Sequence, residues 1–256
     1  YGIIQTDSIQ VSLDSLSVSN VSLINRPLFF LNCSTSADSS INFEMKNSTF
    51  ENLSLDKGIF LIDSQGENEL KALNNFSIWI ENCSFSNLEL NSHSSSYLAS
   101  TVGTGIFTSW TRLLGRSSYE PDNIHAIIIR GSLFTEITTN SLGGGVLFSG
   151  VESLYNGMLS LQHSEFQAIK TIQHNSSSEA GSLIRFKMDE ASSSSIFSEI
   201  FTKATAVSTI SVLNCTFQNM IAFNGGFLFW ESQSKPINLS LVNSSFKGIE
   251  LANNGL

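Results

Sequence analysis

The sequence predicts an all-β fold, a right-handed parallel β-helix of about seven coils that forms one domain over residues 1–256. Three observations predict it: a repeat with a base period of about 30 residues, apolar columns shared by every copy, and a second apolar strand that usually follows a glycine. The chain begins at Tyr1 with neither a methionine nor a signal peptide. We therefore expect a processed chain or, more specifically, a segment of a longer one.

The repeat is clearest in the segments 41–53 and 76–88. Each copy has an apolar anchor, and the anchors are Val18, Phe50, Phe85, Phe134, Phe166, Phe217 and Phe246. The residues seven and five positions before the anchor, and three positions after it, are apolar in every copy. This period-two alternation is typical of a strand with one buried face. We expect the anchor phenylalanines to form one continuous buried stack.

Two columns interrupt the alternation and predict corners between strands. Three positions before the anchor, asparagine recurs and glycine replaces it once, at Gly131. Two positions after the anchor, asparagine recurs again and Gly248 replaces it in the seventh copy. Asparagine and glycine are the residues that best tolerate a positive φ. We therefore expect a left-handed backbone conformation in both columns, which returns the anchor to the interior.

Two coils are longer than the others and carry serine-rich insertions. Coil three contains residues 91–101 and 111–123, and coil five contains residues 171–180. Insertions in a solenoid commonly map to its binding face, although they also occur as solvated decoration. If these flaps form a ligand site, the candidate binding residues are Tyr97, Arg112, Arg116, Tyr119 and Glu120.

The composition favours a polar, sparsely charged surface. The net charge is −9, and only 14% of the residues are charged, against about 25% in an average soluble domain. An acidic chain has no electrostatic reason to bind nucleic acid or an anionic membrane. The sequence also lacks an apolar run of about 18 residues that could span a bilayer.

The sixth copy carries a resemblance to known proteins. It reads Asn-Cys-Thr-Phe-Gln-Asn-Met at 214–220 and continues with Gly-Gly-Phe-Leu at 225–228. This pattern resembles the short repeats of the polymorphic outer-membrane proteins, and similar β-helix repeats occur in large surface proteins of single-celled eukaryotes. The resemblance implies a parallel β-helix of the pectin-lyase-like fold, with an extracellular adhesive or scaffolding role at the cell surface.

A carbohydrate-active enzyme or a carbohydrate-binding module of the pectate-lyase-like fold is the alternative function. Such catalysis needs clustered carboxylates, for a calcium site or for acid–base work. Asp7, Asp14, Asp56, Asp63 and Asp189 fall in different columns of this repeat. Asp38 and Asp122 share a column but belong to coils two and four. We therefore expect no enzymatic activity, no metal and no cofactor.

Ten Asn-X-Ser/Thr sequons occur in the chain. Those at Asn47, Asn82, Asn214 and Asn243, and those at Asn20 and Asn52, coincide with the predicted corners, where backbone geometry alone accounts for asparagine. The sequons outside the corner columns are the clearer acceptors of N-linked glycans. The predicted glycosylation sites are Asn32, Asn75, Asn175 and Asn238, followed by Asn20 and Asn52.

The three cysteines are Cys33, Cys83 and Cys215. Cys83 and Cys215 share the column two positions before the anchor but lie three copies apart, about 14 Å at the usual strand spacing. This separation exceeds the Cα limit of about 7 Å for a disulfide. We expect three buried free thiols.

No capping helix is evident, so we expect further coils of the same chain or neighbouring subunits to stack end to end, in a surface fibre or coat.

Overall fold

A computed structural model describes the strands of every repeat copy and the corners between them. The described residues are 4–6, 8–24, 26–33, 40–63, 75–91, 105–109, 125–140, 147–151, 158–171, 183–187, 208–222, 227–231 and 237–251. This part of the chain is all-β, and its strands run parallel in three sheets that surround one apolar interior. Successive strands belong to sheets A, B and C in turn, which is the arrangement of a β-solenoid.

Within the described residues each sheet has seven strands. Sheet A comprises β1 (Ile4–Thr6), β4 (Phe29–Cys33), β7 (Phe60–Asp63), β10 (Phe107–Ser109), β13 (Phe148–Val151), β16 (Ile184–Lys187) and β19 (Leu228–Glu231). Sheet B comprises β2 (Ser8–Asp14), β5 (Ser40–Lys46), β8 (Asn75–Glu81), β11 (His125–Arg130), β14 (Met158–Gln162), β17 (Ser208–Leu213) and β20 (Ile237–Val242). Sheet C comprises β3 (Ser17–Leu23), β6 (Thr49–Leu55), β9 (Ser84–Asn91), β12 (Leu133–Asn140), β15 (Glu165–Thr171), β18 (Thr216–Ala222) and β21 (Ser245–Leu251).

The strand register confirms the columns that the repeat predicts. In sheet C each anchor pairs with the anchor of the adjacent copy, from Val18 with Phe50 to Phe217 with Phe246. In sheet B the apolar pairs align in the same way, as in Ile127 with Leu159. The side chains of one column therefore stack directly on one another through the interior.

The anchor phenylalanines of sheet C form the predicted continuous stack. Consecutive ring centroids, from Phe50 to Phe246, lie 4.6–5.0 Å apart. The rings are parallel to within 5–7°, because parallel strands repeat the same side-chain position at about 4.8 Å. All these rings are buried except that of Phe246, which is 42% exposed. The prediction that Phe246 is buried is wrong. β21 is the outermost strand of sheet C in the described part of the chain, and among the described residues the Phe246 ring stacks on Phe217 and meets Phe227 edge-on.

Sheet A contains a shorter aromatic stack that the repeat did not predict. Phe60 lies 5.1 Å from Phe29 and 4.9 Å from Phe107, with nearly parallel rings in both pairs. The strand β1 is also missing from the sequence-based prediction, which began the first copy near Val11. Ile4 of β1 pairs with Leu31 of β4. The number of residues between each anchor and the following sheet A strand varies. The sequence alone therefore does not show which residues of neighbouring sheet A strands pair.

The corner prediction is confirmed at every position in both columns. Three positions before the anchor, φ lies between 48° and 57° in all copies, including Asn47, Gly131 and His163. Two positions after the anchor, φ lies between 50° and 64°, including Glu136 and Ala168. The corner geometry therefore persists even where the residue is neither asparagine nor glycine. The predicted insertions lie outside the described residues except for their first residues Asn91 and Thr171, which end β9 and β15.

Candidate functional surfaces

A column of small side chains forms a hydrogen-bond ladder beside the aromatic stack. We call it the small-residue column, and its members in the second to seventh copies are Ser48, Cys83, Ser132, Ser164, Cys215 and Ser244. In this column, two positions before the anchor, Ser132 Oγ accepts the backbone N–H of Cys83 at 3.1 Å and donates to the Arg130 carbonyl at 3.0 Å. The same pair of bonds recurs at Ser48, Ser164 and Ser244. The hydroxyl of one copy thus accepts the amide of the preceding copy, which satisfies backbone donors inside the solenoid.

The cysteines of this column act as members of the ladder. Cys83 Sγ donates to the Glu81 carbonyl at 3.3 Å, and Cys215 Sγ donates to the Leu213 carbonyl at 3.4 Å. Both are buried free thiols, as predicted. Burial raises the pKa of each thiol, which disfavours the reactive thiolate. The side chain of Cys33 lies outside the described part of the structure.

The outward side of sheet B carries a column of alternating charge. Asp14, Lys46, Glu81 and Arg130 follow one another in register. Lys46 Nζ lies 3.9 Å from Glu81 Oε2, and Arg130 Nη1 lies 3.9 Å from Glu81 Oε1. A hydrogen bond from Lys46 to Glu44, at 2.7 Å, raises the pKa of the lysine. The alternation keeps like charges from lying opposite one another on neighbouring strands. The column therefore has no electrostatic field of one sign that would attract a charged ligand.

The corner columns carry ladders of polar side chains on the surface. Asn87 Nδ2 donates to Asn52 Oδ1 at 2.7 Å, and Asn47 Nδ2 donates to Asp14 Oδ1 at 2.9 Å. Where glycine replaces asparagine, the side-chain amide of the asparagine in the preceding copy occupies the space that the missing side chain leaves. A Cβ at Gly131 would lie 2.6 Å from Asn82 Oδ1. Gly131 therefore combines a positive φ with a close approach that a larger residue would disturb.

The outward side of sheet C carries exposed hydroxyl side chains. Its exposed positions include Ser17, Ser19, Thr49 and Ser245. On the outward side of sheet B, Gln10 and Asn42 are exposed, whereas Ala126 and Ser160 are buried. No group of three His, Cys, Asp or Glu that could hold a metal ion occurs among the described residues.

Only some of the predicted site residues lie in the described part of the chain. The candidate ligand-binding residues and one predicted glycan acceptor lie outside it: Tyr97, Arg112, Arg116, Tyr119, Glu120 and Asn175. The remaining acceptors are described at least in their backbone. Asn32 lies on β4 and Asn75 on β8, while Asn238 lies on β20 with an exposed side chain. Asn20 and Asn52 are exposed corner residues with φ of 58° and 56°.

One apolar surface is exposed where the described sheets B and C reach their outermost strands. We define the seventh-copy face as the open side of Leu239, Leu241, Ser244, Phe246 and Ile249, on β20, β21 and the corner between them. Leu239 and Leu241 are 42% and 48% exposed, although the equivalent residues of the third to sixth copies are fully buried. Sequence reasoning identified these columns as inward and expected further coils or a neighbouring subunit to continue them.

Comparison with protein-family models, with curated proteins and with solved structures gives no match for this chain. The described residues contain no helix of the length and hydropathy that crossing a membrane requires. The geometry of the described residues is therefore the basis for assigning a function.

Proposed function

We propose that the chain is an extracellular structural or adhesive β-helix protein, a component of a cell-surface fibre or coat. In this proposal the solenoid is right-handed and has about seven coils, with loop insertions in coils three and five. The observation that carries the proposal is the uniform apolar interior, in which the same columns of side chains stack in register from copy to copy, beneath a sparsely charged surface.

The surface chemistry supports an extracellular, structural role. Few residues are charged, and serine, threonine and asparagine provide the rest of the polar surface. The apolar columns of the described residues make the same interior contacts from copy to copy. The cysteines of the small-residue column are buried and hydrogen-bonded. These features suit a passive, glycosylated coat better than a charged substrate channel.

The first experiment measures association and turnover together. We expect the chain to associate through the seventh-copy face with other repeat-containing chains, and Phe246→Asp to abolish that association. We expect no release of reducing or unsaturated sugars from acidic polysaccharides. Polysaccharide cleavage that is lost in Arg112→Ala or Glu120→Ala would instead establish the carbohydrate-active alternative and overturn the structural role.

A second experiment tests the extracellular location. At least one of the acceptors Asn32, Asn75, Asn175 and Asn238 should carry an N-linked glycan in the native protein. Intact-mass measurement before and after glycosidase treatment detects it, and Asn→Gln variants at each position identify the site. An unchanged mass would argue against secretion through a eukaryotic pathway.

A further inference from the structure

The corner column three positions before the anchor combines asparagine with a hydroxyl residue two positions later. In all four copies that carry asparagine at this corner, serine or threonine directly precedes the anchor: the pairs are Asn47 with Thr49, Asn82 with Ser84, Asn214 with Thr216 and Asn243 with Ser245. Two of the three copies without the asparagine also lack the hydroxyl, since they carry Gly131 with Leu133 and His163 with Glu165. The hydroxyl thus accompanies the asparagine, and together they form the acceptor sequence for N-linked glycans.

The fold accounts for two positions of each of these sequons but not for the hydroxyl. The asparagine provides the positive φ of the corner, and the middle residue belongs to the small-residue column, where its hydroxyl or thiol is hydrogen-bonded. The side chains of Thr49, Ser84 and Thr216 make no hydrogen bond with any residue in the described part of the chain. They lie on the outward side of sheet C, next to the inward anchor. No contact among the described residues requires a hydroxyl there, whereas attachment of an N-linked glycan does require one.

The asparagine amides of this column are accessible to modification. Asn47, Asn82 and Asn214 are exposed on the corner between sheets B and C. Asn47 Nδ2 donates to Asp14 Oδ1 of the preceding copy at 2.9 Å, and Asn214 Nδ2 lies 3.4 Å from Nδ1 of His163. An asparagine amide has two N–H groups, and attachment of a sugar replaces only one of them. The remaining N–H can keep the contact with the preceding copy, so a glycan is compatible with the corner.

We propose that Asn47, Asn82 and Asn214 carry N-linked glycans, which form a row along the edge between sheets B and C. Asn47 and Asn82 lie in neighbouring copies, about 4.8 Å apart along the solenoid, and Asn214 lies three copies beyond Asn82, at roughly 14 Å. The corner conformation and the glycan are two roles of the same asparagine, and the hydroxyl serves the second. The inference rests on the proposed function in one respect, that the chain is secreted through a pathway that attaches N-linked glycans. It adds the edge of the solenoid that carries them.

Glycopeptide mapping of the native protein tests the row directly. Enzymatic release of the glycans in water enriched in heavy oxygen converts each occupied asparagine to a labelled aspartate, which mass spectrometry locates in the sequence. We expect label at Asn47, Asn82 and Asn214. Absence of label from two or more of these residues, beside labelled Asn75 or Asn238, would overturn the inference and leave an extracellular role standing. A native protein without a glycan at any sequon would overturn both the inference and the secretion that the proposed function requires.

Variants of the hydroxyl separate an acceptor sequence from a structural contact. In protein secreted by eukaryotic cells, Thr49→Ala should remove the glycan at Asn47, and Thr49→Ser should retain it. The matched control is Ser17→Ala, which changes the same column in the first copy, where the corner residue is Ser15 and no sequon exists. In protein made without glycans, both alanine variants should shift the urea midpoint by the same small amount. A clearly larger shift for Thr49→Ala would show that its hydroxyl stabilises the fold and would overturn its assignment to the acceptor sequence.

A gain-of-sequon variant tests whether this corner can hold a glycan in the folded chain. His163→Asn with Glu165→Thr supplies the fifth copy with the sequon that it lacks, and the backbone need not change, because φ is 49° at His163 and 51° at Asn214. We expect one additional glycan by intact mass and an unchanged circular dichroism spectrum. The matched control, His163→Asn with Glu165→Ala, should fold in the same way and gain no glycan. A folded double variant without the additional glycan, or a glycosylated one that fails to fold while the control folds, would overturn the inference.

Discussion

Phe134 and Phe246 are the same residue in the same column, yet their environments differ. Phe134 is fully buried, with rings 4.8 Å away on both sides, whereas Phe246 is 42% exposed with one stacked neighbour at 4.6 Å. Their own strands are equivalent, since both have positive-φ corners at the same offsets. The difference shows that burial in this solenoid comes from the adjacent copies and not from the copy to which a residue belongs.

The largest expected effect comes from truncating the ring inside the stack. Phe134→Ala removes a fully buried side chain and leaves a cavity between Phe85 and Phe166, which should cost about 3–5 kcal/mol of unfolding free energy. Phe246→Ala should cost less than half as much, because part of that ring already contacts solvent. Urea denaturation followed by circular dichroism measures both. Equal costs would mean that the seventh-copy face is covered in solution.

A smaller effect is expected from removing a hydroxyl of the small-residue ladder. Ser132→Ala deprives the buried N–H of Cys83 of its acceptor, and an unsatisfied buried donor costs about 1–3 kcal/mol. Ser244→Ala removes the equivalent acceptor of Cys215 at a position that is half-exposed. Water can replace the lost bond there, so the loss should be smaller. The same denaturation measurement compares the two, and a Ser132→Cys variant should recover part of the loss.

The corner columns give a third comparison. Gly131→Ala places a side chain on a residue with φ of 57° and within 2.6 Å of Asn82 Oδ1, so it should cost about 1–2 kcal/mol from the backbone conformation alone. Gly131→Asn should cost less than alanine if the Asn82 amide can shift, because asparagine adopts this conformation in the same column at Asn47 and Asn214. A double-mutant cycle that combines Gly131→Ala with Asn82→Gly isolates the contact, because glycine removes the Asn82 side chain and tolerates the φ of 53° at that position. An alanine variant as stable as the wild type would contradict the positive φ.

The sequence was sufficient to predict the inward columns and the corners that recur in every copy. Period-two alternation placed the inward columns, and the exchange of asparagine with glycine predicted positive-φ corners in two columns; the corner geometry extends to Glu136 and Ala168, where the residue itself gives no such signal. These features are local, because they depend on strand pleating and backbone sterics within one copy. They persist in each copy whatever lies beside it.

The features that the sequence did not predict depend on contacts between copies. The exposure of Phe246 depends on the absence of a described strand beyond β21, and the sheet A stack around Phe60 depends on a register that loops of variable length conceal. The alternating charge of Asp14, Lys46, Glu81 and Arg130 was visible in the aligned columns. Its ion pairs depend on the register between neighbouring strands.

The smallest expected effect is the exchange of a buried thiol for a hydroxyl. Cys83→Ser keeps the ladder, because Ser132 makes the same bond to the carbonyl two residues before it that Cys83 makes to Glu81. We expect a change of less than about 1 kcal/mol at neutral pH. Burial raises the pKa of Cys83 in the folded protein, whereas the thiol of the unfolded chain ionises near pH 8.5. As the pH rises through that value, the unfolded state loses a proton that the folded state retains, so ionisation favours unfolding. The wild type should therefore lose more stability than Cys83→Ser between pH 7 and about pH 9.5, as measured by denaturation at both values. Equal losses would show that the Cys83 thiol ionises as readily in the folded protein as in the unfolded chain.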